Sequence, residues 1–168
     1  MIYDFSDFQL LAVLAMVIVL TASCVIDLQE KILPDPLTFI VAIIGVVLAV
    51  FDPIRVTGWP MALTGAVAGG FGSWAFREII WRVRGLEAMG LGDVKLFAAI
   101  GLWVGAEGVV STALVGSILT IMVVGVRWVF TRQGSLRDEI PFGPGIAAGF
   151  LVTVLIGPIG PLAAQLIF

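Results

Sequence analysis

Apolar residues run along this chain in long, nearly unbroken stretches separated by short polar ones. Six stretches stand out, at 8–26, 37–51, 59–80, 94–106, 108–130 and 142–156, the last reaching towards residue 168. A helix rising about 1.5 Å per residue needs about 20 mostly apolar residues to cross about 30 Å of hydrocarbon. A lipid-facing strand would instead alternate apolar and polar positions. The pattern therefore predicts an all-α polytopic membrane protein of about six transmembrane helices, built as one membrane-embedded domain over residues 1–168. The second and fourth stretches are short for a span and are expected to borrow flanking residues or to lie in a thinned, protein-lined region. Gly157, Pro158, Gly160 and Pro161 are expected to break or kink the last helix. Within the third stretch Gly65, Gly69 and Ser73 recur at four-residue spacing beside Ala62, Ala66 and Gly70, a small-residue face that lets a neighbouring helix approach closely.

Composition narrows the picture. Of 168 residues, 60% are hydrophobic and 12% charged, about half the roughly 25% charged residues of a soluble domain. That is too little polar material to cover a globule in water, so membrane lipid is the expected surroundings. The net charge of −3 argues against electrostatic binding of nucleic acid. The chain has no histidine, which removes Ser-His-Asp and Cys-His catalysis and His-ligated zinc. A single cysteine, Cys24, excludes an internal disulfide or a Cys-ligated metal within one chain, and reads as a small apolar filler. No metal or cofactor is expected, and any catalysis falls to carboxylates, hydroxyls, two lysines and backbone groups.

Charge also orients the chain. With six spans, Lys31, Arg77, Arg82, Arg84, Lys95, Arg127, Arg132 and Arg137 share one side and only Arg55 lies on the other. The positive-inside rule makes the basic side cytoplasmic, with cytoplasmic loops at 27–36, 77–95 and 127–142 and both termini outside. The first residues carry Asp4 and Asp7 and no basic residue, the reverse of a secretory signal, so the first stretch is expected to remain in the mature protein. No charge falls in the middle of a span, which disfavours an ion-coupled transporter.

Two polar stretches could carry chemistry. In the first, 26–35, Asp27 follows the end of an apolar run, where the helix dipole disfavours a negative charge. Alone, it reads as an interfacial loop charge. In the second, 87–96, Gly90-Leu91-Gly92-Asp93 precedes an apolar helix, and alone Asp93 reads as an N-cap. The Gly-x-Gly lacks the third glycine and the preceding strand of a dinucleotide site. Taken together, both aspartates fall at membrane ends of helices on the same side. If those helices pack, the carboxylates meet and share one proton, which is one way to activate water for amide hydrolysis without histidine, metal or cysteine. Gly90 and Gly92 would then leave room for an extended peptide backbone.

Three blocks, in order and spanning most of the chain, make the resemblance specific: Asp27 with Lys31-Ile32-Leu33-Pro34-Asp35, then Met89-Gly90-Leu91-Gly92-Asp93-Val94-Lys95-Leu96, then Ile140-Pro141-Phe142-Gly143-Pro144. The chain resembles the prepilin peptidase family, membrane aspartic proteases with a Gly-x-Gly-Asp motif. The resemblance implies an aspartic endopeptidase of the plasma (inner) membrane that removes a short basic leader from prepilin-like precursors at the cytoplasmic face. It implies Asp27 and Asp93 as the catalytic pair, and Gly90, Gly92, Lys95, Pro141, Phe142, Gly143 and Pro144 as motif or substrate-binding positions. Partners would be a prepilin-like protein substrate and components of a pilus or secretion assembly. Leu33 departs from the family's usual isoleucine before proline. The length and the single cysteine match the short, peptidase-only branch similar to Flp/Tad-type enzymes, so N-methylation is not expected.

Around this centre the expectations are plainer. Lys95 either tunes Asp93 or extends its ammonium to the interface, the latter being favoured. Glu87, Asp138 and Glu139 either attract a basic leader or are solvated loop charges. Pro141 and Pro144 set the start of the last helix. Rival readings are a presenilin-like protease with deeper aspartates, a non-enzymatic assembly subunit that needs neither aspartate, and a small transporter.

Overall fold

The computed structural model describes residues 7–30, 32–51, 58–85, 89–131 and 142–159. Five helices follow one another: α1 (Asp7–Glu30), α2 (Asp35–Phe51), α3 (Gly58–Arg84), α4 (Leu91–Thr131) and α5 (Gly143–Ile156). There is no strand among the described residues. Lys31, Arg55, Glu87, Arg132, Arg137, Asp138, Glu139, Ile140, Pro141, Gly160 and Pro161 lie outside the described residues, as does any continuation of the last stretch towards residue 168.

The helices outlast the apolar runs that announce them, because backbone hydrogen bonding continues past the hydrocarbon boundary until a sequence signal stops it. α3 continues through Arg77 and Arg84 and ends where Gly85, at φ 64°, turns its N–H back onto the Trp81 carbonyl at 2.8 Å. α2 begins after Pro34, whose carbonyl accepts from the N–H groups of Leu37 and Thr38. Pro36 sits in the first turn, where no intrahelical donor is needed. α5 ends at Gly157, at φ 99°, one of the break points expected from the sequence.

The fourth and fifth apolar stretches form one assigned helix, α4, interrupted at Gly105 (φ 68°, ψ −179°). The interruption falls two residues before the gap at 107 that the apolar pattern marks. Only the glycine can take a positive φ cheaply, so the backbone breaks there. The neighbours of the two limbs show a reversal of direction. Phe97 packs against Phe142 and Trp103 against Phe150, so the first limb runs alongside α5. In the second limb Thr112 meets Thr153, while Gly116 and Thr120 meet Gly145, so that limb runs against α5.

Small residues bring α3 against the first limb of α4, the most extensive packing in the molecule. Gly65 lies against the Gly101 carbonyl and Gly69 against the Phe97 carbonyl, so closely that a methyl group at either would collide with backbone. The core holds Met16, Leu20, Val41, Leu96, Ile100, Ile146 and Phe150. Polar side chains inside it find partners: Ser23 donates to the Val19 carbonyl, Thr153 to the Gly149 carbonyl, and Trp103 Nε1 to the Val41 carbonyl at 3.1 Å.

The outside is as apolar as the inside. Ile18, Phe39, Val67, Phe71, Ile121 and Val123 are among many large side chains pointing away from the bundle, far more than the few hundred Å² that a water-soluble monomer exposes. α1 over Leu10–Glu30 and α4 over Leu91–Arg127 are long and apolar enough to cross a membrane; α2 and α5 are apolar but shorter. The chain is a helical membrane protein.

One end of this bundle gathers the chemistry. Gly92 packs on Leu33, Lys95 pairs with Asp35, Arg77 bonds to Met89, and Asp27 bonds to Gly143. These contacts bring the C-terminal ends of α1 and α3 together with the N-terminal ends of α2, α4 and α5.

Candidate active site

Asp27 lies one turn from the end of α1, with only 5% of its surface exposed. Its own helix disfavours a charge there, and a second helix compensates. Oδ2 accepts the Gly143 N–H at 2.9 Å, at the positive N-terminus of α5. No side chain of α5 caps that end; Asp27, remote in sequence, does so instead. Pro144 follows and has no N–H of its own to satisfy. Gly143 is required for contact: a Cβ there would stand 2.7 Å from Asp27 Oδ2 and 3.1 Å from its Cγ.

Asp93 is not an N-cap. α4 begins at Leu91, which makes Gly90 the cap and Asp93 the third helical residue. Its Oδ2 reaches back to the Gly90 N–H at 3.3 Å, and the Gly90 carbonyl accepts from Val94 N–H. This is the returning half of a capping box. The cap lies three residues before the expected one because the glycine, not the aspartate, adopts the turn.

The start of α5 touches the helices of both aspartates. Asp93 lies one turn before Phe97, whose ring packs on Phe142 with centroids 6.3 Å apart, and Phe142 precedes the Gly143 that holds Asp27. The contact that joins the pair is thus α1 to α5, rather than a broad packing of α1 on the fourth apolar stretch.

The remaining motif positions separate. A Cβ at Gly92 would stand 2.8 Å from Leu33 Cβ, so this glycine is fixed by packing within the chain. A Cβ at Gly90 meets nothing closer than Asp93 Oδ2 at 3.6 Å, and Gly90 is exposed. Room for a peptide backbone is therefore at Gly90. Lys95 turns to Asp35, Nζ to Oδ1 at 2.6 Å, both side chains being exposed. There the pair edges an apolar groove of about 610 Å³ between α2, α3 and α4, lined by Phe39, Ala42, Ala66, Ala98 and Leu102. Cys24 is half-buried against the core.

Arg77, which the sequence marks only as one of the basic residues sharing a side, also reaches this end of the bundle. Half-buried near the end of α3, Arg77 donates from Nε to the Met89 carbonyl at 3.0 Å.

Fold and site together define a class: helical membrane proteins that carry a pair of aspartates to one end of the bundle. The chain belongs to the type IV leader peptidase family, whose model matches residues 7–126. It is 37% identical over 134 residues to a prepilin leader peptidase/N-methyltransferase of Xanthomonas campestris pv. campestris, covering 79% of this chain and 46% of that protein. It is 34% identical over 152 residues to the protein of the same name from Burkholderia pseudomallei, covering 88% and 47%. Against the type 4 prepilin-like proteins leader peptide-processing enzyme of Escherichia coli O78:H11 it is 34% identical over 146 residues, covering 87% and 52%. The chain spans about half the length of the curated relatives it matches. No solved structure matches it.

Proposed function

We propose that the chain is an aspartic endopeptidase that cleaves the short basic leader from prepilin-like precursors at the cytoplasmic face of the inner membrane. The observation that carries the reading is that Asp27 and Asp93, 66 residues apart, are brought to one end of the bundle, where the start of α5 touches the helices of both. Family membership and the names of the relatives point the same way. Methyl transfer, which some of those names also carry, is no part of the proposal.

In this reading one carboxylate takes a proton from water as its oxygen attacks the scissile carbonyl. The other, protonated, donates a hydrogen bond to the carbonyl oxygen. Collapse of the tetrahedral intermediate breaks the C–N bond, and a proton passes to the departing amine. The leader leaves with a new carboxylate and the precursor keeps a new amino terminus. No metal or cofactor is required. The extended backbone of the precursor passes Gly90, and its apolar helix continues into the lipid.

The same proposal includes the single domain over 1–168 and six membrane crossings, with the two limbs of α4 counted separately and both termini outside. Support comes from the reversal at Gly105 and from the described basic residues. Arg77, Arg82, Arg84, Lys95 and Arg127 all lie towards the end that holds the aspartates, as expected of a cytoplasmic face. Components of a pilus or secretion assembly are the proposed further partners. The test is co-expression with a candidate prepilin: the wild-type protein converts it, and Asp93→Asn does not. Conversion by Asp93→Asn would remove the proposal.

A further inference from the structure

Arg77 and Asp93 hold opposite ends of one peptide group. The carbonyl of the Met89–Gly90 peptide is Met89 O, which accepts from Arg77 Nε at 3.0 Å. The N–H of that same peptide is Gly90 N–H, which donates to Asp93 Oδ2 at 3.3 Å. Bonds at both ends of a peptide group polarise one another and fix its plane. Elsewhere a side chain would restrain that plane, but here the following residue is glycine. Gly90 takes positive and negative φ with similar ease, its present φ is not positive, and a Cβ there would meet no neighbour that fixes it. A flip of the Met89–Gly90 peptide is therefore cheap on local grounds and would turn the N–H away from Asp93. Arg77 comes from α3, which is locked to α4 by the Gly65–Gly101 and Gly69–Phe97 contacts, so its guanidinium is a fixed reference for that peptide.

We infer that Arg77 is a positioning residue for Asp93: by gripping the Met89 carbonyl it holds the Met89–Gly90 peptide in the one orientation that presents the Gly90 N–H to the Asp93 carboxylate. This rests on the proposed proteolytic role of Asp93. The bond is directional, from a planar guanidinium, and a lysine ammonium on a flexible stem reproduces it only in part.

The experiment measures kcat, KM and thermal midpoint on the full chain in lipid nanodiscs, with a prepilin as substrate. Displacing a catalytic group by about 1 Å can cost about 100-fold in rate. Arg77→Ala is expected to lower kcat by about 10- to 100-fold, with KM within about twofold and an unchanged thermal midpoint. Arg77→Lys, which keeps the charge, is expected to recover part of kcat. If Arg77→Ala does not fold, Arg77→Lys decides alone: reduced kcat at constant KM supports the inference, and wild-type kcat overturns it. A wild-type kcat in Arg77→Ala, a rise in KM alone, or a kcat loss that tracks a fall in thermal midpoint would each overturn it. Asp93→Asn, run in parallel, separates the two claims. An inactive Asp93→Asn beside a fully active Arg77→Ala sinks only the role of Arg77, whereas an active Asp93→Asn sinks the proteolytic reading beneath it.

Discussion

Asp27 owes its position to backbone rather than to side chains. Its carboxylate is held by the N-terminus of α5 and pressed against a residue with no Cβ. Gly143→Ala should therefore push the carboxylate aside and lower kcat by about 100-fold, while the protein still inserts; precursor conversion beside a folding assay in detergent checks this. If Asp27 and Asp93 act as one unit, the double variant Asp27→Asn/Asp93→Asn should be no slower than either single one, because losses within a unit do not add. Asp35→Asn should keep most activity, since its exposed pair with Lys95 is worth about 0–1 kcal/mol. A pair that works with one shared proton also fixes the sign of the pH dependence. Below the first ionisation no carboxylate is left to take water's proton, and above the second none is left to donate, so kcat against pH should be bell-shaped. At this scale Asp27, Asp93 and the Gly-x-Gly turn could be picked out of the sequence as candidates, because each is a local pattern. Arg77 could not, because its role depends on which carbonyl α3 meets.

Among the elements, α4 departs most from its apolar pattern. The pattern supplied two stretches with a gap at 107, and the break at Gly105 turns them into two limbs running in opposite directions. A hydrophobic profile counts residues but does not record φ, so it locates a break only to within a residue or two. The small-residue face of α3 was legible, since glycine at four-residue spacing has a direct packing meaning. What it could not give was the partner, the first limb of α4. Glycines in this fold should therefore differ sharply in tolerance. Gly105→Ala should cost about 1–3 kcal/mol, because φ 68° with ψ −179° is a conformation essentially only glycine adopts. Gly101→Leu, forced against the Gly65 backbone, should prevent recovery of folded protein. Gly72→Ala, mid-helix with open space around it, should stabilise by about 0.5–1 kcal/mol. Thermal midpoints of the three purified variants in one detergent test that order.

The whole molecule is a helical bundle with an apolar outside and two aspartates gathered at one polar end. The apolar outside was legible from composition alone, because a chain with 12% charged residues has nothing else to present to its surroundings. The sidedness rests on charge, and cysteine accessibility in intact cells checks it. In a Cys24→Ala background, Gly134→Cys should be shielded from an impermeant reagent added outside, and a cysteine appended at the C-terminus should be labelled. The most direct test of the central claim is the fraction of a prepilin precursor converted by wild-type, Asp27→Asn and Asp93→Asn proteins, at matched levels in membranes and with insertion verified. Asparagine keeps the size of the side chain but cannot take a proton from water. The wild type should convert the precursor and neither variant should; substantial conversion by Asp93→Asn would refute the two-aspartate mechanism.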